Sequence, residues 1–329
     1  MQITTLSNGV RVATRSSNSH FFNVGCFLQG GARIDPNRTC AVLEKIAFKS
    51  TAKYSTAQIT EKLEAMGGQV ECKATREYML YQAQIFKADL PNIMELLSEM
   101  ILHPLLKEKH LHEVKETLAF DIKNHQWQHD IILPDQLHQV AYRKATTDTV
   151  TDSVGFESSS LGNSLISTTD SLTKINTAHI RAFRDLWFTP DRLVIAGVGM
   201  EHEILVDLAQ KYFGDMKPAS IAIQDAQRSL SLPAVYAGGT RITDTTSLPI
   251  SPNPDDMNLS HIHIGFEAMA TNDPDIYSLA IMQSLLGGGG SFSAGGMYCA
   301  NIRTRQGNVH QAIYRSVKFV WLVRANQRI

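Results

Sequence analysis

Twelve histidines and four cysteines are the natural metal ligands of this 329-residue chain, and their spacing serves metals poorly. His125 and His129 stand four apart at the end of a helical pattern, which sets two imidazoles on one face and makes half of a metal site. His110 and His112 stand two apart and cannot share a helix face, whereas His261 and His263 share one side of a regular strand. No cysteine falls at ligand spacing beside them, and they read as surface or packing histidines. Cys26, Cys40, Cys72 and Cys299 form no C-x-x-C pair and read as reduced, buried thiols. In "RTCAVLEKIAFKST", Arg38–Thr51, Glu44 and Lys45 taken alone are an ion-paired or solvated helix edge.

The other chemically suggestive stretch is "LLGGGGSFSAGG", Leu285–Gly296, with glycine at 287, 288, 289, 290, 295 and 296. Inside a packed element each glycine would cost roughly 0.5–1 kcal/mol against alanine, so this is exposed backbone. Its N–H and C=O groups can meet an extended peptide without side-chain interference, and Phe292 adds one apolar contact. A phosphate cradle needs a preceding strand and a closing G-K-[ST]; here the loop follows a helical pattern and has no lysine.

The surrounding elements are mixed. "MQITTLSNGVRVAT" reads as strand, Asn8-Gly9 turn and strand, and "NVGCFLQGGARID" as a buried strand. Helices are expected around Cys40–Phe48 and from an N-cap at Ser55 to a Gly67-Gly68 stop. "QVECKAT" and "EYMLYQAQIF" alternate as paired strands. Helical patterns follow in "DLPNIMELLSEMIL", "KEKHLHEVKETLAFDIKNHQWQ" and Asp135–Arg143, then a polar loop or lid over Thr146–Asp170. "TAHIRAFRDLWF" reads as helix, "DRLVIAGVG" as strand and "EHEILVDLAQKYFGDM" as helix. Beyond a linker at Lys217–Gly239, "SHIHIGFEAM" reads as a strand, and "DPDIYSLAIMQSLL" as a helix with Asp273 as N-cap. The pattern predicts an α+β layered fold, an antiparallel-rich sheet packed with helices. The domains are expected at 1–216, with linker 217–239, the start of a second, homologous domain at 240–297, and a separate tail at 298–329.

The segment "RTCAVLEKIAFKST" resembles the helix of the inverted zinc metallopeptidases related to pitrilysin, in which H-x-x-E-H precedes a phrase like "AFKST". There the two imidazoles bind zinc and the glutamate serves as general base. In register, the five positions here are Ala41, Val42, Leu43, Glu44 and Lys45, and a third family ligand falls at Asp121. Ala41 offers no lone pair. Lys45 is protonated and would repel a dication by several kcal/mol at ~4 Å, even at an effective dielectric of about 20. The resemblance therefore implies a degenerate zinc site, with no catalytic residue and no metal.

"LLGGGGSFSAGG", "HIHIGFEA", "DPDIYSLA" and "LVIAGVG…EHEILVDLAQKYFGDM" are similar, in that order, to the non-catalytic alpha subunits of the mitochondrial processing peptidase within this family. The match covers residues 1–297. It implies a partner beta subunit that carries the zinc, and a role in holding the presequences of imported precursors in the mitochondrial matrix. By position, Gly287, Gly288, Gly289, Gly290, Ser291, Phe292, Ser293, Gly295 and Gly296 carry the substrate-holding role. A structural core subunit of the respiratory cytochrome reductase complex and an active zinc peptidase are the rival readings. From Cys299 onward the family pattern is lost, and the tail reads as out-of-frame, mis-spliced or truncated coding sequence.

Charge agrees with a basic cargo. The chain has a net −1, but Tyr298–Ile329 holds six basic residues and no acid, which leaves 25 basic against 32 acidic groups before it, a net of −7. Such a field favours basic partners rather than nucleic acid. Asp255, Asp256, Glu267 and Asp273 lie near the glycine stretch in sequence. "VKFVWLV" is too short to span a bilayer, and the resemblance implies at most peripheral association with the inner membrane. The first residues are no cleavable presequence, so either none is needed or the sequence starts at the mature domain.

Overall fold

The computed structural model describes residues 1–35, 37–142, 160–230, 234–243, 261–269 and 273–285, and the backbone of 316–322. The glycine stretch, Asp255, Asp256 and Cys299 lie outside these residues.

The opening hairpin pairs β1 (Gln2–Thr5) with β2 (Arg11–Arg15) through a turn in which Gly9 takes φ +102°, open to glycine and strained for other residues. Asn8 pins this turn by donating from Nδ2 to the carbonyls of Phe213 and Gly214. Strands β3 (Phe21–Leu28), β4 (Gln69–Ala74), β5 (Met79–Phe86) and β6 (Leu193–Val198) complete a six-stranded sheet in the order β1-β2-β6-β3-β5-β4. Every pairing is antiparallel except β2 with β6. The α+β, antiparallel-rich sheet expected from the sequence is the fold found.

Alternation decides which face is covered. Phe22, Val24, Cys26 and Leu28 of β3 and Met79, Tyr81, Ala83 and Ile85 of β5 are buried on one face. Phe21 and Phe86, opposite each other in register, stand on the other with ring centroids 4.9 Å apart. The buried face receives α1 (Thr39–Ile46), α3 (Leu90–Leu102), α7 (Thr177–Trp187) and α8 (His202–Phe213), whose Leu43, Leu97, Phe183, Trp187 and Phe213 belong to the same core. His202 ties α8 to the hairpin, its two ring nitrogens meeting Thr4 Oγ1 at 2.7 Å and Thr14 Oγ1 at 2.8 Å.

Helix ends follow local chemistry. Ser55 caps α2 (Thr56–Met66) in a reciprocal box with Gln58, and Gly67 ends it at φ +60°. Asn176 and His179 form the same box on α7. Arg184 reaches from α7 to the last carbonyls of α3, donating through Nη2 to Ile101 O and Leu102 O, with its guanidinium 5.4 Å from the Phe188 ring. A cation here faces the negative end of the helix dipole and satisfies carbonyls left over by the last turn. Arg184→Ala is expected to lower stability by about 2 kcal/mol, read from the urea midpoint; an unchanged midpoint contradicts the cap.

Three boundaries differ from the sequence reading. The helix placed at Asp135–Arg143 is α5, His129–Ala141, which begins earlier and runs through Pro134. The linker at Lys217–Gly239 contains a helix, α9 (Ile221–Leu230), started by Ser220 and anchored where Gln227 Nε2 donates to Leu186 O at 2.6 Å. The polar stretch Thr146–Asp170 closes on the first residues of α6 (Thr169–Lys174), capped by Thr168 with Ser171.

Among the described residues the chain divides into two compact units, the first holding those of 1–123 and 163–230 and the second 124–142, 160–162, 234–243, 261–269, 273–285 and 316–322. Helix α4 (Glu108–His125) ends the first of these stretches. Within the second unit α5 lies against β7 (His261–Glu267), Ala237 N and Gly238 N donate to Ala141 O, and Tyr142 meets Tyr236 edge-on at 5.8 Å. Helix α10 (Ile276–Leu285) starts two residues later than its sequence signal. Asp273 Oδ1 accepts from Asp275 N at 3.0 Å in the turn ahead of it. Ser316–Leu322, inside the segment set apart above as a tail, is β8, the parallel partner of β7.

Candidate functional site

Helix α1 carries the degenerate motif and lies across β4, the edge strand of the sheet. It buries Cys40, Val42, Leu43 and Ile46, so Ala41, Glu44 and Lys45 fall on the less buried side. An unusual entry sets its direction. Arg38 takes φ 61° and ψ 31°, and Asp35, fully buried, accepts the Cys40 amide at Oδ2 over 2.6 Å. Burial pushes the Asp35 carboxyl up to about 6 although hydrogen bonds from Cys40, Thr39 and Asn37 oppose the rise.

Lys45 Nζ lies 3.4 Å from Asp121 Oδ2, and one turn later Lys49 Nζ lies 3.1 Å from Glu113 Oε2. The first pair ties α1 to α4, and the second ties to α4 the turn that follows α1. The Lys49 ammonium holds the Glu113 carboxyl below its usual range. Glu44 Oε2 accepts the backbone amide of Ala74, at the end of β4, over 2.7 Å. The structure thus sets Lys45 beside Asp121 and Glu44 beside the Ala74 amide, with Ala41 on the same, less buried side of α1.

A zinc ion does not fit this set. Zinc needs neutral imidazoles or anionic ligands about 2.0–2.3 Å away. Here the position one turn from Ala41 is a cation already paired with Asp121, the carboxylate that would otherwise be a ligand. Glu44, the would-be base, is engaged by a peptide N–H. Among the described residues no group of three or more His, Cys, Asp and Glu could hold a metal. His125 ends α4 and His129 begins α5, so the pair does not share a helix face. The thiols are poor nucleophiles: burial pushes Cys26 up to about 12 and raises Cys40 and Cys72 as well.

Comparison with known proteins decides the lineage. Residues 11–152 match the family described as Insulinase (Peptidase family M16), and residues 174–314 match the Peptidase M16 inactive domain. The chain belongs to the M16 peptidase family. Among curated M16 relatives, the mitochondrial-processing peptidase subunit alpha of Neurospora crassa is 32% identical over 356 residues, covering 89% of this chain and 59% of the relative. The Homo sapiens subunit alpha is 32% identical, covering 90% and 55%, and that of Caenorhabditis elegans 31%, covering 96% and 62%. The chain therefore spans somewhat over half the length of these relatives. The crystal structure of a protease from Helicobacter pylori shares the fold at a TM-score of 0.61 and 16% identity, covering 88% of this chain and 66% of that one.

Within this M16 frame, Asp35 and Ala74 are the site residues that sequence reasoning missed. Asp35 carried a weak signal, a carboxylate just ahead of a helix start. The Ala74 amide carried none, because a backbone donor has no residue type. Of the acids near the glycine stretch in sequence, Asp273 accepts from Asp275 N in the turn ahead of α10 and Glu267 ends β7.

Proposed function

We propose that this chain is the non-catalytic alpha subunit of a heterodimeric mitochondrial processing peptidase, retaining the basic presequences of imported precursors while a beta subunit, which carries the zinc, cuts them. The observation that carries the reading is the Lys45–Asp121 ion pair at 3.4 Å, which places a protein cation where a peptidase of this family needs a metal. The names of the relatives and the net −7 of residues 1–297 support it, since an acidic body attracts a basic leader. The proposal places the chain in the matrix, with Gly287–Gly290, Ser291, Phe292, Ser293, Gly295 and Gly296 holding the extended leader. Among the described residues no helix is long and apolar enough to cross a membrane, and any inner-membrane contact would be peripheral.

The test is co-purification with a beta subunit, followed by anisotropy of a labelled presequence peptide. Replacing Gly287–Gly290 by alanines is expected to weaken peptide binding at least tenfold while leaving the heterodimer intact, because the substitution removes backbone access rather than a subunit contact. Failure to pair with the beta subunit, or unchanged peptide affinity, refutes the assignment.

A further inference from the structure

Asn8-Gly9 is the one Asn-Gly step in the chain and lies in the turn between β1 and β2. In such a step a side-chain amide stands next to a peptide nitrogen that no side chain shields, the arrangement in which asparagine loses its amide most readily. The folded turn engages both reacting groups elsewhere. Gly9 N donates to Leu6 O at 3.0 Å, and Asn8 Oδ1 accepts from Val10 N at 3.2 Å. Asn8 Nδ2 donates to Phe213 O at 2.8 Å and to Gly214 O at 3.1 Å, carbonyls left over where α8 ends. Each of these two bonds needs a hydrogen that a carboxylate lacks.

We infer that Asn8 is a deamidation site that the folded hairpin keeps closed, and that hydrolysis of its amide detaches the hairpin from the end of α8. In the step, Gly9 N attacks Asn8 Cγ and gives up its proton. The new N–C bond forms as the side-chain nitrogen leaves with that proton as ammonia, and a five-membered imide remains. Water opens the imide at either carbonyl to aspartate or isoaspartate, so one amide and one water become one acid and one ammonia. Gly9 can attack only after its amide leaves Leu6 O and the Asn8 side chain leaves Phe213 and Gly214, which is an opening of the hairpin. The product cannot return to its place. Aspartate sets oxygen against two carbonyl oxygens and adds a negative charge at the negative end of a helix. Isoaspartate also adds a carbon to the main chain of a turn whose length fixes the pairing of Thr5 with Arg11. The site is thus a one-way record of time spent unfolded.

The experiment ages the full natural chain at neutral pH, folded in buffer and unfolded in urea, and follows amide-to-acid conversion by peptide mass spectrometry. Exposed Asn18 serves as the internal reference. Relative to Asn18, Asn8 is expected to convert at least about tenfold faster in urea than in the folded chain, because the folded reaction waits on opening. Two variants separate the consequences: Asn8→Asp stands for the product, and Asn8→Ala removes the donors without adding charge. Asn8→Asp is expected to show the lower urea midpoint of the two. It is also expected to exchange faster at Gly214 and Met216, whose amides donate to Gln210 O and Phe213 O. A partly deamidated natural pool refolded from urea needs no variant, and its folded fraction is expected to retain asparagine at position 8. Equal conversion in the folded and unfolded chains refutes the closed site. Detachment is refuted if Asn8→Asp is as stable as Asn8→Ala, or if the refolded fraction holds as much acid at position 8 as the pool.

Discussion

The double variant Ala41→His/Lys45→His is expected to bind one zinc ion with a Kd below about 10 μM, where the natural chain shows no saturable binding. Positions 41 and 45 are one turn apart on the same side of α1, the spacing that lets two imidazoles share a metal. Removing the Lys45 ammonium does two things at once. It withdraws a cation that repels the metal, and it frees the Asp121 carboxylate, 3.4 Å away in the natural chain, to become the third ligand from α4. Lys45→His alone supplies one imidazole and one carboxylate, and is expected to bind at least tenfold more weakly. Isothermal titration of the three proteins measures this. A double variant no better than the single one would show that α1 and α4 do not frame a metal-sized site.

Asp35→Asn is expected to raise stability above neutral pH by about 1–3 kcal/mol and to flatten its pH dependence. The folded carboxyl titrates at about 6, above its ordinary 3.8, because it is fully buried and its charged form has lost water. A raised carboxyl pKa means that the unfolded chain ionises first. The contribution of Asp35 to stability is therefore whole below about pH 4 and is lost as pH rises through 6. A shift of about two units corresponds to about 3 kcal/mol once both states are ionised. Asparagine keeps an acceptor oxygen for the Cys40 amide and has no charge to desolvate. Urea midpoints of both proteins at pH 4.5 and 8 should diverge at the higher pH; a constant difference would contradict the burial argument.

Much of this fold is legible because its signals are local. Ser55 with Gln58 and Gly67 bracket α2, Asn8-Gly9 makes the first hairpin, and the alternation of β4 and β5 gives their pairing. Helix α9 is hidden for the opposite reason: its anchor is Gln227, a polar residue buried by hydrogen bonds to Leu186 and Thr189, which no hydrophobic pattern reveals. Helix α5 is misplaced because Pro134 reads as a boundary, yet the helix passes through it at the loss of one amide donor.

The site divides in the same way. That Ala41 cannot be a ligand follows from its type alone. That Lys45 meets Asp121, and that Glu44 meets the Ala74 amide 30 residues on, are consequences of tertiary packing that spacing cannot supply. The glycine stretch is conspicuous in sequence, and its role stays a proposal drawn from resemblance and from the access its backbone offers.

The decisive measurement is presequence cleavage by this chain reconstituted with a beta subunit, comparing the natural chain with Glu44→Gln. Because the glutamate is bound to a peptide N–H and faces no metal, the two heterodimers are expected to cleave within about twofold of each other, and the chain alone not at all. Loss of about a thousandfold in the Glu44→Gln heterodimer, or cleavage by the isolated natural chain, would show that this carboxylate takes a proton in the reaction, and the account of a holding subunit would be wrong.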